Sequence, residues 1–188
     1  MSEGPHSAVL GLHSSLDWPE LTGSDDGSRS VAFTPDQDLP ARVAVAAEAI
    51  EDFGAPMHIV ASGPEGAVAV RLAVSRPELV RSLVLTDCSP RTDLGDVTDD
   101  LVDVRVPSLV VAASPDGESG LEDSQTLAGQ IPNGVFVVMD HTELPAHASR
   151  PGSFQEWSAS FISIVEGLRA LDPEARHIIT PADTASTP

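Results

Sequence analysis

Short apolar runs alternating with helical periodicity define the chain. Residues 8–12 (AVLGL), 58–61, 80–85, 107–113 (PSLVVAA) and 134–139 (GVFVVM) are continuous apolar runs of strand length, and residues 30–33 are a weaker run suited to a sheet edge. Runs apolar on every position suit strands buried on both faces, the signature of a parallel sheet rather than a half-solvated antiparallel one. Between them, residues 39–53, 65–75, 121–131 and 153–171 carry apolar residues at helical spacing. In the last of these, Phe154, Trp157, Phe161, Ile164, Val165 and Leu168 lie along one face at intervals of three and four, which predicts a long amphipathic helix. Gly54-Ala55-Pro56 supplies a stop for the first helix. The pattern predicts a doubly wound α/β fold: a mainly parallel sheet of five to six strands with helices on both faces, three layers in all.

The stretch 57–87, MHIVASGPEGAVAVRLAVSRPELVRSLVLTD, is strand, turn, helix and strand in succession, a βαβ unit. Functional groups in such units gather where strands end and helices begin, so residues 62–65 are the first place to look. Ser62-Gly63-Pro64-Glu65 also has the S-x-x-E spacing of a capping box, with Ser62 capping the helix and Glu65 reaching back.

Charge narrows the partners. The 188 residues hold 29 acidic and 10 basic side chains, a formal net charge of −19, and every basic residue is Arg. Such a surface repels phosphate backbones and anionic membranes, which argues against nucleic acid as a partner. The one cysteine, Cys88, excludes an internal disulfide and a Cys-based zinc site. No apolar run approaches the ~20 residues of a membrane span. The first six residues carry neither a basic segment nor a long apolar one, so no signal peptide is expected and a cytoplasmic location is the expectation. No His-Glu-x-x-His or comparable ligand spacing occurs, so neither metal nor cofactor is expected.

The phrases Gly66-Ala67-Val68-Ala69-Val70-Arg71-Leu72-Ala73 and Arg76-Pro77-Glu78-Leu79-Val80-Arg81-Ser82-Leu83-Val84-Leu85 resemble those that follow the nucleophile elbow in the α/β-hydrolase superfamily. Residues 106–112 (VPSLVVA) and the run 136–154 extend the resemblance. It implies a trimmed member: one domain over residues 1–171, a disordered tail over 172–188, and only an acidic connector, 88–103, where a helical cap would otherwise be inserted.

The resemblance also assigns positions to the chemistry. Acyl transfer on this fold needs a nucleophile on the elbow, a His base, an acid to orient it and two backbone N–H donors for the oxyanion. Alignment on Gly66-Ala67-Val68-Ala69 puts Gly63 at the nucleophile position and Pro64, which has no N–H, at one oxyanion donor. Asp116 falls at the acid position. Matching Leu144-Pro145 puts Glu143 where the base should be, with His141 and His147 flanking it. The resulting expectation is a hydrolase-like protein that has lost its Ser-His-Asp machinery and binds a ligand or partner. Asp116, His141 and Glu143 are then the candidate acid–base groups, and His13, Ser62, Gly63, Pro64 and Asp87 line the ligand site. An alternative is a non-hydrolytic enzyme, an epimerase, cyclase or lyase acting on a natural-product-like small molecule through a strand-end carboxylate or His. A third is a hydrolase with a displaced nucleophile, Ser62 or Cys88, served by His141 and Asp116. The partner is expected to be a small molecule or a protein, including a second copy through a bare sheet edge or through the region a cap would cover.

Overall fold

The apolar runs form strands and the periodic stretches form helices, in a computed structural model that describes residues 7–13, 27–116 and 120–171. The expected tail, 172–188, and the loop after the first strand, 14–26, lie outside the described residues. In chain order the elements are β1 (Val9–His13), β2 (Ser28–Ala32), α1 (Leu39–Phe53), β3 (Met57–Ser62), α2 (Glu65–Ser75), β4 (Val80–Thr86), β5 (Arg91–Thr92), β6 (Gly95–Asp96), β7 (Ser108–Ser114), α3 (Glu122–Gln130), β8 (Gly134–Asp140), α4 (Ala146–Ser149) and α5 (Pro151–Leu171).

Six strands make one sheet in the order β2-β1-β3-β4-β7-β8, and every pairing in it is parallel. The chain moves outward from β1 to β2, then returns to the other side of β1 for β3 and continues away. That reversal opens a crevice beyond the carboxyl ends of β1 and β3, where ligands of open parallel sheets bind. Successive strand residues enter different cores, because side chains alternate across a sheet. Leu10, Leu12, Ile59, Ala61, Leu83, Leu85 and Val110 pack with α1, α2 and α3 on one face. Val9, Val60, Val84, Leu109, Val111 and Met139 pack with Ala146, Phe154 and Ile162 on the other.

Local signals explain the boundaries. Asp38 caps α1 by accepting the Ala41 N–H at 2.9 Å, and Gly54 closes that helix with its N–H on the Ile50 and Glu51 carbonyls. The connector between β4 and β7 holds the small antiparallel β5–β6 hairpin and a 3₁₀ turn, Thr98–Asp103, with no helical cap over the strand ends.

One prediction about α5 is corrected. Only part of its apolar face is buried: Phe154, Ile162 and Val165 enter the core with Ser158, whereas Trp157, Ile164 and Leu168 remain 49–61% exposed. The helix carries two adjacent apolar stripes, and the sheet covers one of them.

A buried polar network fastens α5 to the amino ends of the strands. His58 Nδ1 lies 2.8 Å from Ser82 Oγ and its Nε2 lies 3.1 Å from Glu166 Oε1, which also accepts from Arg81 Nη1 at 3.0 Å. The residue types are those of a hydrolytic triad, but His58 and Ser82 are fully buried, so no substrate reaches them. Burial lowers the His58 pKa to about 4 against the pull of Glu166, with Arg81 and Arg169 lowering it further. An unfolded His58 takes its proton near pH 6.5. Between the two values the unfolded state holds more protons, so this contribution is present above pH 6.5 and drains away as pH falls toward 4. Urea unfolding should show wild-type stability dropping by a few kcal/mol over that window, with part of the slope removed in His58→Gln.

Candidate functional site

The turn after β3 is a sharp elbow with nothing on its tip. Ser62 ends β3 in register with Thr86 of β4, and Gly63 takes φ +59°, the left-handed region in which a strand can reverse directly into a helix. A Cβ built on Gly63 would meet no atom within 4 Å. The space for a side chain exists, and the residue supplies none. Pro64 starts the turn into α2 and offers no N–H. The Gly63 N–H is itself donated to the Thr86 carbonyl at 3.1 Å. Neither backbone amide of the elbow is therefore free to hold an oxyanion, whether attack comes from position 63 or from Ser62. The other donor of the family pattern would come from the loop 14–26, outside the described residues.

The elbow is braced from beneath. Gly66 packs so closely on Cys88 that an added Cβ would lie 2.6 Å from its Sγ, so α2 sits tight against the end of β4. Burial pushes the Cys88 thiol well above its ordinary pKa, and the nearby Asp87 and Glu65 push the same way. A protonated, buried thiol is no nucleophile, which removes Cys88 from the candidates. Glu65 does not reach back to form a capping box, and no side chain caps α2. Its carboxylate instead forms a buried ion pair with Arg42 at 2.8 Å. That guanidinium also donates to the Gln37 and Thr34 carbonyls and lies over the Phe33 ring. The pair pins α1 and the segment before it to the elbow.

Ser62, freed from capping, points to a histidine. Its Oγ lies 3.3 Å from His147 Nδ1. His147 sits on α4, a single helical turn after Pro145 that buries Ala146 and His147, and its ring lies 6.0 Å from that of Phe154. Burial lowers the His147 pKa, and the charge of Asp87 opposes the shift. The net direction keeps the imidazole neutral at pH 7, the form that can accept a proton.

Asp87 holds this arrangement together. It follows β4 with φ +51°, and its carboxylate accepts the Ala113 N–H from β7 at 2.7 Å and the Ala146 N–H, next to His147, at 2.6 Å. One carboxylate thus ties the ends of β4 and β7 to the loop that carries the imidazole.

The other sequence candidates stand at or beyond the strand ends. Asp116 is exposed in the bend after β7, and Glu143 is exposed in the loop after β8. The His141 side chain is 77% exposed, with its Nε2 3.6 Å from Asp140. His13 closes β1 at the crevice, half-buried. The structure brings together Ser62, Gly63, Pro64 and Asp87 of the expected set. It adds His147, which the sequence reading named only as a flank of Glu143. The signal was Pro145-Ala146-His147-Ala148, a proline-led helical turn that swings the third residue inward. Among the described residues no group of three or more His, Cys, Asp or Glu side chains is placed to hold a metal, and no helix is long and apolar enough to cross a membrane.

No family model matches the sequence, and no curated protein matches it. Many solved structures match the fold. MenH from S. aureus superposes with TM-score 0.71 at 12% identity, over 85% of this chain and 94% of that one. A thermophilic esterase from Thermogutta terrifontis gives TM-score 0.71 at 15% identity, over 86% and 91%. A serine hydrolase involved in carbazole degradation, CarC, gives 0.69 at 17% identity, over 86% and 92%.

The Asp87 bracing is testable. Asp87→Asn removes the charge that supports the imidazolium, so the His147 C–H resonances should titrate at lower pH than in the wild type. The amide NH₂ also sets a donor against a backbone N–H, and the variant should lose about 1–3 kcal/mol of stability in urea. An unchanged His147 titration would show that the Asp87 charge does not reach the ring.

Proposed function

We propose that this chain, which has the α/β-hydrolase fold, does not perform acyl transfer and uses the crevice at its strand ends to bind a small molecule or a partner protein. The observation that carries the reading is the elbow itself: Gly63 retains the left-handed turn at φ +59° and carries no nucleophile, with Pro64 after it. The engagement of the Gly63 N–H with Thr86 supports the same reading independently. Losing one oxyanion donor typically costs about 10²–10³ in rate, and here both elbow amides are ineffective. The sheet and the packing beneath the turn are intact, so a shaped surface remains after the reactive group is gone.

The contact between Ser62 and His147 favours a second reading, acid–base chemistry without an acyl intermediate. A neutral imidazole beside a half-buried hydroxyl can take and return a proton on a bound substrate, and such a reaction needs no oxyanion hole at the elbow. Asp87 acts here through His147, as a positioning residue. His141 and Glu143, both exposed beyond β8, carry no step in this reading.

Turnover of short- and medium-chain aryl esters, followed for the wild type, Ser62→Ala and His147→Ala, tests the main reading. The expected result is no turnover in the wild type above that of the two variants. Ester hydrolysis abolished by either substitution would instead establish Ser62 as a displaced nucleophile with His147 as its base.

A further inference from the structure

The two edges of the sheet differ in a way that points to a partner. β2, at one end, reads Ser28-Arg29-Ser30-Val31-Ala32, mostly polar with a guanidinium. Polar and charged side chains are the usual protection of an exposed edge. β8, at the other end, reads Gly134-Val135-Phe136-Val137-Val138-Met139 with no charge before Asp140, and Val135 and Val138 are 50% and 38% exposed. Beside it runs the uncovered stripe of α5: Trp157, Phe161, Ile164 and Leu168. Strand and helix together wall a groove of about 550 Å³, lined by apolar side chains apart from Asn133 and Ser160. Among the described residues nothing covers this uncharged edge or the apolar groove continuous with it, and such a surface calls for a cover.

Charge selects the occupant. On a chain of net charge −19, α5 carries no ionisable residue between Glu156 and Glu166, and Glu166 is already held by Arg81 and His58. Apart from Asp140 at the end of β8, a basic partner would find no carboxylate to pair with on this face. A partner as acidic as the chain itself meets no repulsion there. The backbone geometry selects the same occupant. A two-fold axis normal to the sheet pairs β8 with itself antiparallel, and such an interface is self-complementary. Centred on Val137, this pairing sets Asp140 opposite Gly134 of the second copy, so no carboxylate faces another.

We propose that the β8 edge and the exposed α5 stripe form a homodimer interface in which two β8 strands pair antiparallel and join two six-stranded sheets into one. The inference is independent of the reading of the elbow, since the surface lies on the β8 edge of the sheet.

Analytical ultracentrifugation of the full chain, with Val138→Lys, Trp157→Glu and Ile164→Glu alongside, tests it. The wild type should sediment with twice the 19.6 kDa chain mass at micromolar concentration. The β8 amides that point away from β7 should be protected from hydrogen exchange. Each variant changes an exposed side chain, should keep its circular dichroism, and should raise the dimer dissociation constant at least about tenfold. A wild-type monomer up to millimolar concentration overturns the proposal, as does a dimer indifferent to all three substitutions. A monomer whose outward-pointing β8 amides are protected also overturns it, because another segment of the same chain would then occupy the edge.

Discussion

The carboxylate of Asp87 joins three segments that are distant in sequence. Through the Ala113 and Ala146 N–H groups it fixes the end of β7 and the loop after β8 to the end of β4. A backbone amide removed from water needs a partner, and a charged acceptor makes a short, strong bond. The bridge adds a polar anchor to the packing of Ala146 in the core, and it fixes the backbone next to His147. The left-handed backbone at Asp87 belongs to the same constraint, since it turns the carboxylate across the strand ends instead of along β4.

Around that bridge the elbow is held by packing. The close approach of Gly66 to Cys88, the buried Arg42–Glu65 pair and the left-handed Gly63 are packing requirements, and they hold whether or not a nucleophile is present. A buried ion pair of this kind is costly to break from one side, because the surviving charge stays desolvated. The side chain that Gly63 lacks and the N–H that Pro64 lacks are not needed for this packing. The His58–Ser82–Glu166 network makes the complementary point. A set of triad-like side chains sealed in the core serves to fasten a helix, and access to solvent separates it from a reactive group.

The strong negative charge acts mainly on what the chain can meet. It raises the cost of approach for any acidic partner except through uncharged ground, and the β8–α5 face is such ground.

The sheet and its helices were legible in the sequence for a definite reason. Runs such as VLGL and LVVAA are apolar on consecutive positions, as a strand buried on both faces requires, whereas the equally apolar GVFVVM lies half-exposed at the sheet edge. α1 was legible to the residue, because Asp38 and Gly54 mark its ends chemically. That Gly63 brings no side chain and Pro64 no N–H to this turn was legible too, from their covalent structure alone. Tertiary structure decided the rest. Ser62 and Glu65 have the spacing of a capping box, yet Arg42, more than twenty residues earlier, captures Glu65 once α1 packs on α2. His147 was obscured because its position depends on a hydrogen bond from its neighbour Ala146 to Asp87, fifty-nine residues apart. Which stripe of α5 faces the sheet was likewise beyond periodicity, because both stripes repeat at helical spacing and only the shape of the core chooses between them.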